Sequence, residues 1–146
     1  MRDKIARLFR RLDKFLDLPA DHQRRVIYTL LLVVAFRLAL WVIPYRTLQR
    51  IADRVPARRI ASDEEASQIA HDITAVSRYV LEATCLTQAL VAQVLLQRDG
   101  FSPKMKIGVA HGENGQLKAH AWIEMDGRIF IGDLGPEMVF ATMQKS

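Results

Sequence analysis

The hydrophobic pattern changes period once along the chain. Up to about residue 97 apolar positions recur every three or four residues, and from residue 104 they alternate. Ile5, Leu8, Phe9, Leu12 and Leu16 form one stripe over residues 2–16, with Arg2, Lys4, Arg7, Arg10, Arg11 and Lys14 on the other faces. This predicts an amphipathic basic helix, broken at Asp17-Leu18-Pro19. A second helix is predicted from Asp21 to Ile43, where Pro44 stops it, with a short helical continuation over 45–55. Pro56-Ala57-Arg58-Arg59 reads as a connector. Ser62 followed by Glu65 is a capping box, and it opens a helix to about Leu81 with Ala66, Ile69, Ala70, Ile73, Val76 and Val80 on one stripe. Another helix is predicted from Thr84 and Cys85 to Gln97, with Leu86, Leu90, Val91, Val94 and Leu95 as its apolar positions. Gly100 is its natural left-handed terminator.

Strands are expected over 104–110, 117–125 and 128–133. His111-Gly112-Glu113-Asn114-Gly115 joins the first two as a loop, and Asp126-Gly127 joins the last two as a tight turn. Helices followed by an antiparallel sheet make the fold class α+β. Two regions are expected: a basic helical N-terminal region over 1–59 and a core over 60–146.

Composition narrows this little. A chain of 146 residues, half hydrophobic and a quarter charged, can bury a core without crosslinks. Its one cysteine excludes an internal disulfide and suits a reducing, cytoplasmic compartment. No small-residue cleavage site follows the apolar stretch, so no secretory signal is expected.

Charge changes the picture more. Residues 1–59 hold 14 Lys/Arg against 5 Asp/Glu, whereas residues 60–146 hold 7 against 11. The basic half suits an acidic partner surface. Nucleic acid is not expected, because zinc-finger spacing, an RNP motif and basic-aromatic runs are all missing. Residues 26–43 carry one charge, Arg37. That length is borderline for a membrane span, and a mid-span arginine is costly in lipid. A mostly buried core helix is the favoured reading, and association of the basic region with a membrane surface is the alternative.

The candidate chemistry sits in the second half. If Asp126-Gly127 is a two-residue loop, counting back from it sets His120 opposite Asp133. Directly opposed side chains share a face, with Cβ atoms about 4.5–5.5 Å apart. A carboxylate there would fix the imidazole tautomer and orient the ring. The inference depends on register, since a slip of one residue separates the pair. His120, Trp122 and Glu124 would share that face with Ile129, Ile131 and Asp133. The alternative is a structural histidine beside a surface aspartate.

Cys85 follows Thr84, a helix-capping residue type. A helix N-terminus favours a thiolate, and its unpaired N–H groups can hold an oxyanion. A lone cysteine can equally be a small buried hydrophobe. With His120 as base and Asp133 as orienting acid, Cys85 completes a candidate nucleophilic triad. Thr84 and Trp122 are the candidate substrate-binding residues, although Trp122 equally suits a core. His111 is a rival base in a loop with no acidic partner placed by counting, and His22 and His71 fall on polar helix sides. No metal-ligand spacing and no phosphate loop is present, so neither metal nor cofactor is expected.

The runs Thr84-Cys85-Leu86-Thr87-Gln88-Ala89-Leu90, Lys106-Ile107-Gly108-Val109, His120-Ala121-Trp122-Ile123-Glu124 and Ile131-Gly132-Asp133 resemble the transglutaminase-like fold. More narrowly they resemble the leader peptidases of lasso-peptide biosynthesis, closely over residues 80–135. The helix of residues 20–50, ending Ile43-Pro44-Tyr45-Arg46, is also similar to that family's N-terminal part. The resemblance implies a transglutaminase-like, papain-like core in which Cys85, His120 and Asp133 match the triad one by one. It implies cleavage of a ribosomally made precursor peptide at its leader–core junction, followed by a separate cyclase. It also implies a discrete leader-binding protein, because residues 1–59 read as helices whereas that family's leader-binding domain is a winged helix with strands. The cyclase is a further candidate partner. Arg7, Arg10 and Arg11 would then lie on a docking face. Two alternatives stay open: an acyl transferase on the same fold, and a silent scaffold bound to membrane or protein.

Overall fold

Two prolines frame the first helix. In the computed structural model, which describes residues 16–80, 83–111, 116–132 and 141–142, helix α1 spans Ala20–Val42 with Pro19 as its N-cap. Ile43 turns to an extended conformation because it precedes Pro44. Pro44, with its φ preset at −57°, then caps helix α2, Tyr45–Asp53. The helix expected over 2–16 lies outside the described residues apart from Leu16.

The capping box forms as its spacing requires. Glu65 N–H donates to Ser62 Oγ at 3.3 Å, and Ser62 N–H donates to Glu65 Oε2 at 2.9 Å. They open helix α3, Asp63–Ser77, which ends earlier than the predicted Leu81. Three-residue turns replace the helix there: Tyr79 N–H reaches Val76 O and Val80 N–H reaches Ser77 O, at 3.0 and 3.3 Å. Helix α4, Cys85–Arg98, begins as predicted and is buried along nearly its whole length. Gly100, at φ +90°, ends it, and Phe101 N–H donates to Leu96 O at 3.0 Å. A Cβ at Gly100 would come within 2.6 Å of the Arg59 carbonyl, so glycine lets the connector lie against the helix end. Arg59 adds a 2.7 Å bond to buried Asp99.

The sheet is antiparallel, in order β3-β2-β1-β4: β1 Lys104–His111, β2 Leu117–Met125, β3 Arg128–Ile131 and β4 Ala141–Thr142. The fold is α+β, as expected. Three details depart from the sequence reading. His111 closes β1 opposite Leu117 and is not a loop residue. Two-residue β4, unpredicted, adds to β1. Strand β3 stops at Ile131. The β2–β3 turn has the expected form, with Asp126 at φ 49° and Gly127 at φ 75°, both suited to a two-residue hairpin.

Helix α4 lies against β1, β2 and β3, with α1, α2 and α3 packed around it. Leu90, Leu95 and Leu96 of α4 join Ile69 and Ile73 of α3, Val33 of α1, Leu48 of α2 and Ile123 of β2 in one hydrophobic cluster. Burial of such side chains stabilises by about 1.5–3 kcal/mol each. Helix α1 corrects the expectation of a mostly buried core helix. Among its 23 residues only Thr29 and Val33 are buried. One face packs on α3 and α4, and the other is exposed. Its N-terminal end is tied to α3 by Asp72, which accepts from Arg25 Nε at 3.0 Å and bonds His22 Nε2 at 3.1 Å.

Candidate functional site

Cys85 is the first residue of α4, and Thr84 is its N-cap. Thr84 adopts an extended backbone, and its Oγ1 accepts from Thr87 N–H at 3.5 Å. The cap takes up one orphan N–H of the first turn and leaves the thiol at the positive end of the helix dipole. The thiol is free and half-buried against the hydrophobic cluster.

His120 lies on β2, against which α4 packs. Strand alternation sends Ala121 and Ile123 into the cluster and turns His120, Trp122 and Glu124 to the other face. No hydrogen bond joins Cys85 to His120. Across β1 the residue facing His120 is Gly108, which presents no side chain on that side of the ring. Trp122, 9% exposed, stacks with His120 at 6.3 Å between centroids and 15° between planes. Glu124 is engaged by Lys106 Nζ at 3.0 Å.

The decisive contact is at the end of β3. His120 Nε2 lies 2.6 Å from the carbonyl oxygen of Gly132. A carbonyl only accepts, so Nε2 carries the proton and donates it. In the neutral ring this makes Nδ1 the basic nitrogen. Gly132 has φ +88°, and a Cβ there would meet Ala121 O at 2.9 Å and Trp122 Cβ at 3.0 Å. Only glycine brings this carbonyl so close to β2 without strain.

The predicted register holds for the first two pairs after the turn, Met125↔Arg128 and Glu124↔Ile129, and then shifts. Ile131 pairs with Ile123 across an irregularity that leaves Phe130 as an extra residue on β3. Ile131 therefore faces the core with Ile123 and does not share a face with Trp122, contrary to the count. The count that set Asp133 opposite His120 assumed an unbroken ladder, and Asp133 itself lies outside the described residues. Sequence reasoning missed the positioning parts played by Gly132 and Gly108. The available signal was a glycine inside each predicted strand, a mark of close backbone approach.

A scan against family models matches the transglutaminase-like superfamily over residues 30–145. The chain belongs to the transglutaminase-like superfamily. This superfamily includes cysteine peptidases and acyl transferases. Neither the curated proteins nor the solved structures give a significant match. The matched segment takes in α1 from residue 30 onward, the other three helices and the whole sheet. Among the described residues, no group of three or more His, Cys, Asp or Glu could hold a metal ion. Of the other histidines, His22 is bonded to Asp72 and His71 is exposed on α3.

Proposed function

We propose that this transglutaminase-like protein is a cysteine peptidase that removes the leader from a ribosomally made precursor peptide during lasso-peptide maturation. The reading is supported by a thiol, Cys85, at the N-terminus of a helix that packs on β2, the strand carrying a histidine whose neutral tautomer is set by a backbone carbonyl. The narrower substrate class rests on the resemblance of residues 80–135 to leader peptidases.

The chemistry follows from these groups. Cys85 thiolate attacks the carbonyl carbon of the last leader residue. N–H groups at the start of α4 hold the tetrahedral oxyanion. His120 gives a proton to the leaving amine, which becomes the N-terminus of the core peptide. Water, deprotonated by His120, then hydrolyses the thioester and frees the leader. His120 and Cys85 must close to hydrogen-bond distance in the substrate complex, where catalytic contacts tighten. In this reading Asp133 supports the ring beside the Gly132 carbonyl, Trp122 braces it by stacking, and Thr84 lies next to the scissile bond. A separate leader-binding protein delivers the precursor, and the cyclase receives the product.

The test is mass spectrometry of a precursor peptide incubated with the protein and its leader-binding partner, alongside Cys85→Ala. The reading expects a single cut into leader and core with wild type and none with the variant. Cleavage by Cys85→Ala at the wild-type rate would end it. Incorporation of an added amine in place of leader release would assign the same thioester chemistry to a transferase.

A further inference from the structure

We infer that the exposed face of α1, together with the arginine row of α2, is a docking surface for an anionic membrane. This inference is independent of the peptidase reading.

The exposed apolar residues of α1 are not scattered. Ile27, Leu31, Val34, Leu38, Trp41 and Val42 follow one another at helical spacing and form a continuous stripe about 22 Å long. Leu31 is 61% exposed, Trp41 69% and Val42 85%. A contiguous apolar face of this kind marks an interaction site. The helix is long and apolar enough to cross a membrane. Its inward face, however, is occupied by α3 and α4, and Asp72 holds its N-terminal end. Spanning would strip the domain core open, whereas lying flat on a bilayer would bury only the stripe.

The charge beside the stripe selects the occupant. Helix α2 follows at once after Pro44, and Arg46, Arg50 and Arg54 are exposed at four-residue intervals along it. Like charges so spaced repel. Among the described residues none of the three enters an ion pair. Arg24, exposed near the other end of α1, is likewise in no ion pair. Asp53, the carboxylate on α2, accepts from Gln93 Nε2, and the arginine array beside the apolar stripe suits a plane of anionic headgroups. Arg37, the one charge within the apolar stretch, lies 5.3 Å above the Trp41 ring. Tryptophan is a residue of bilayer interfaces, and Trp41 carries this arginine over its ring. The basic, amphipathic sequence of residues 2–16 adds charge of the same sign.

The experiment is flotation of the full chain with phosphatidylcholine vesicles, with and without phosphatidylglycerol. Two variants accompany it: Leu31→Gln/Leu38→Gln/Trp41→Gln on the stripe, and Arg46→Gln/Arg50→Gln/Arg54→Gln on the row. All six positions are exposed, and circular dichroism checks that each variant is folded. Wild type should float with the anionic vesicles. The stripe variant should lose about tenfold or more of the bound fraction, since it removes most of the apolar area to be buried. The row variant should lose the preference for phosphatidylglycerol, and added salt should mimic it. Folded wild type that ignores anionic vesicles would overturn the proposal, as would a stripe variant that binds like wild type. A concentration-dependent dimer dissolved by the stripe substitutions, without vesicle binding, would overturn it by assigning the face to a second copy.

Discussion

The imidazole of His120 is held by the backbone carbonyl of Gly132, with 2.6 Å between Nε2 and oxygen. The contact exists because Phe130 is an extra residue on β3 and because Gly132 takes a left-handed conformation against Trp122. The carbonyl oxygen only accepts, so in the neutral ring it places the proton on Nε2.

Gly132→Ala should therefore damage both stability and turnover. The added Cβ meets two groups of β2 at a φ that alanine rarely adopts. A loss of about 1–3 kcal/mol is expected in urea unfolding. If the protein is the proposed peptidase, kcat for precursor cleavage should fall at a temperature where the variant is folded while KM changes little, because the ring is displaced.

Asp133 and His120 should differ in their importance. In the proposed mechanism His120 is the base, so His120→Ala should abolish cleavage. Asp133→Ala leaves the Gly132 carbonyl in place to hold the Nε2 proton, so a measurable fraction of kcat should survive. Equal, complete losses in the two variants, measured by single-turnover cleavage, would assign the orienting role to the carboxylate alone.

Thr84→Ala should cost about 0.5–2 kcal/mol as a lost N-cap, toward the low end because the bond to Thr87 N–H is long at 3.5 Å. Thr84→Ser keeps the hydroxyl and should restore stability in thermal unfolding. If Thr84 also touches substrate through its methyl group, Thr84→Ser should recover Tm without recovering KM.

Glu65 gives the fold a pH-dependent element. The Ser62 backbone N–H and then the Arg59 guanidinium stabilise its charged form and hold it below the ordinary 4.5. A lowered folded value means that the contribution is present above 4.5 and is lost as pH falls through that lower value. The Tm gap between wild type and Glu65→Ala should be full at neutral pH and shrink below 4.5. A gap independent of pH would show that the capping contact depends on shape and not on charge.

Asp72 is the anchor of α1. Its side chain is almost fully buried and accepts from Arg25, His22 and Gln68. Asp72→Ala leaves Arg25 and His22 without their acceptor and should destabilise by about 1–3 kcal/mol. Hydrogen exchange should rise in the first turns of α1 ahead of α4, since α4 is held by the cluster on several sides.

Some of this was decided within a few neighbouring residues, and there the sequence sufficed. Ser62 and Glu65 are close enough to cap each other, Pro44 excludes the helical conformation at Ile43, and Asp126-Gly127 adopts positive φ at little cost. The alternation of β2 and the helical spacing of α3 likewise report a local period, and Cys85 falls at a helix start because Thr84 can cap one. The rest is set by contacts between residues distant in the chain. Residues 26–43 are equally apolar on either reading, and only the packing of α3 and α4 against one side determines that the opposite side stays exposed. Counting from a turn assumes a ladder without insertions, but Ile131 packs beside Ile123 in the core and Phe130 is left as an extra residue on β3. That one-residue shift, driven by burial, is what delivers the Gly132 carbonyl to His120.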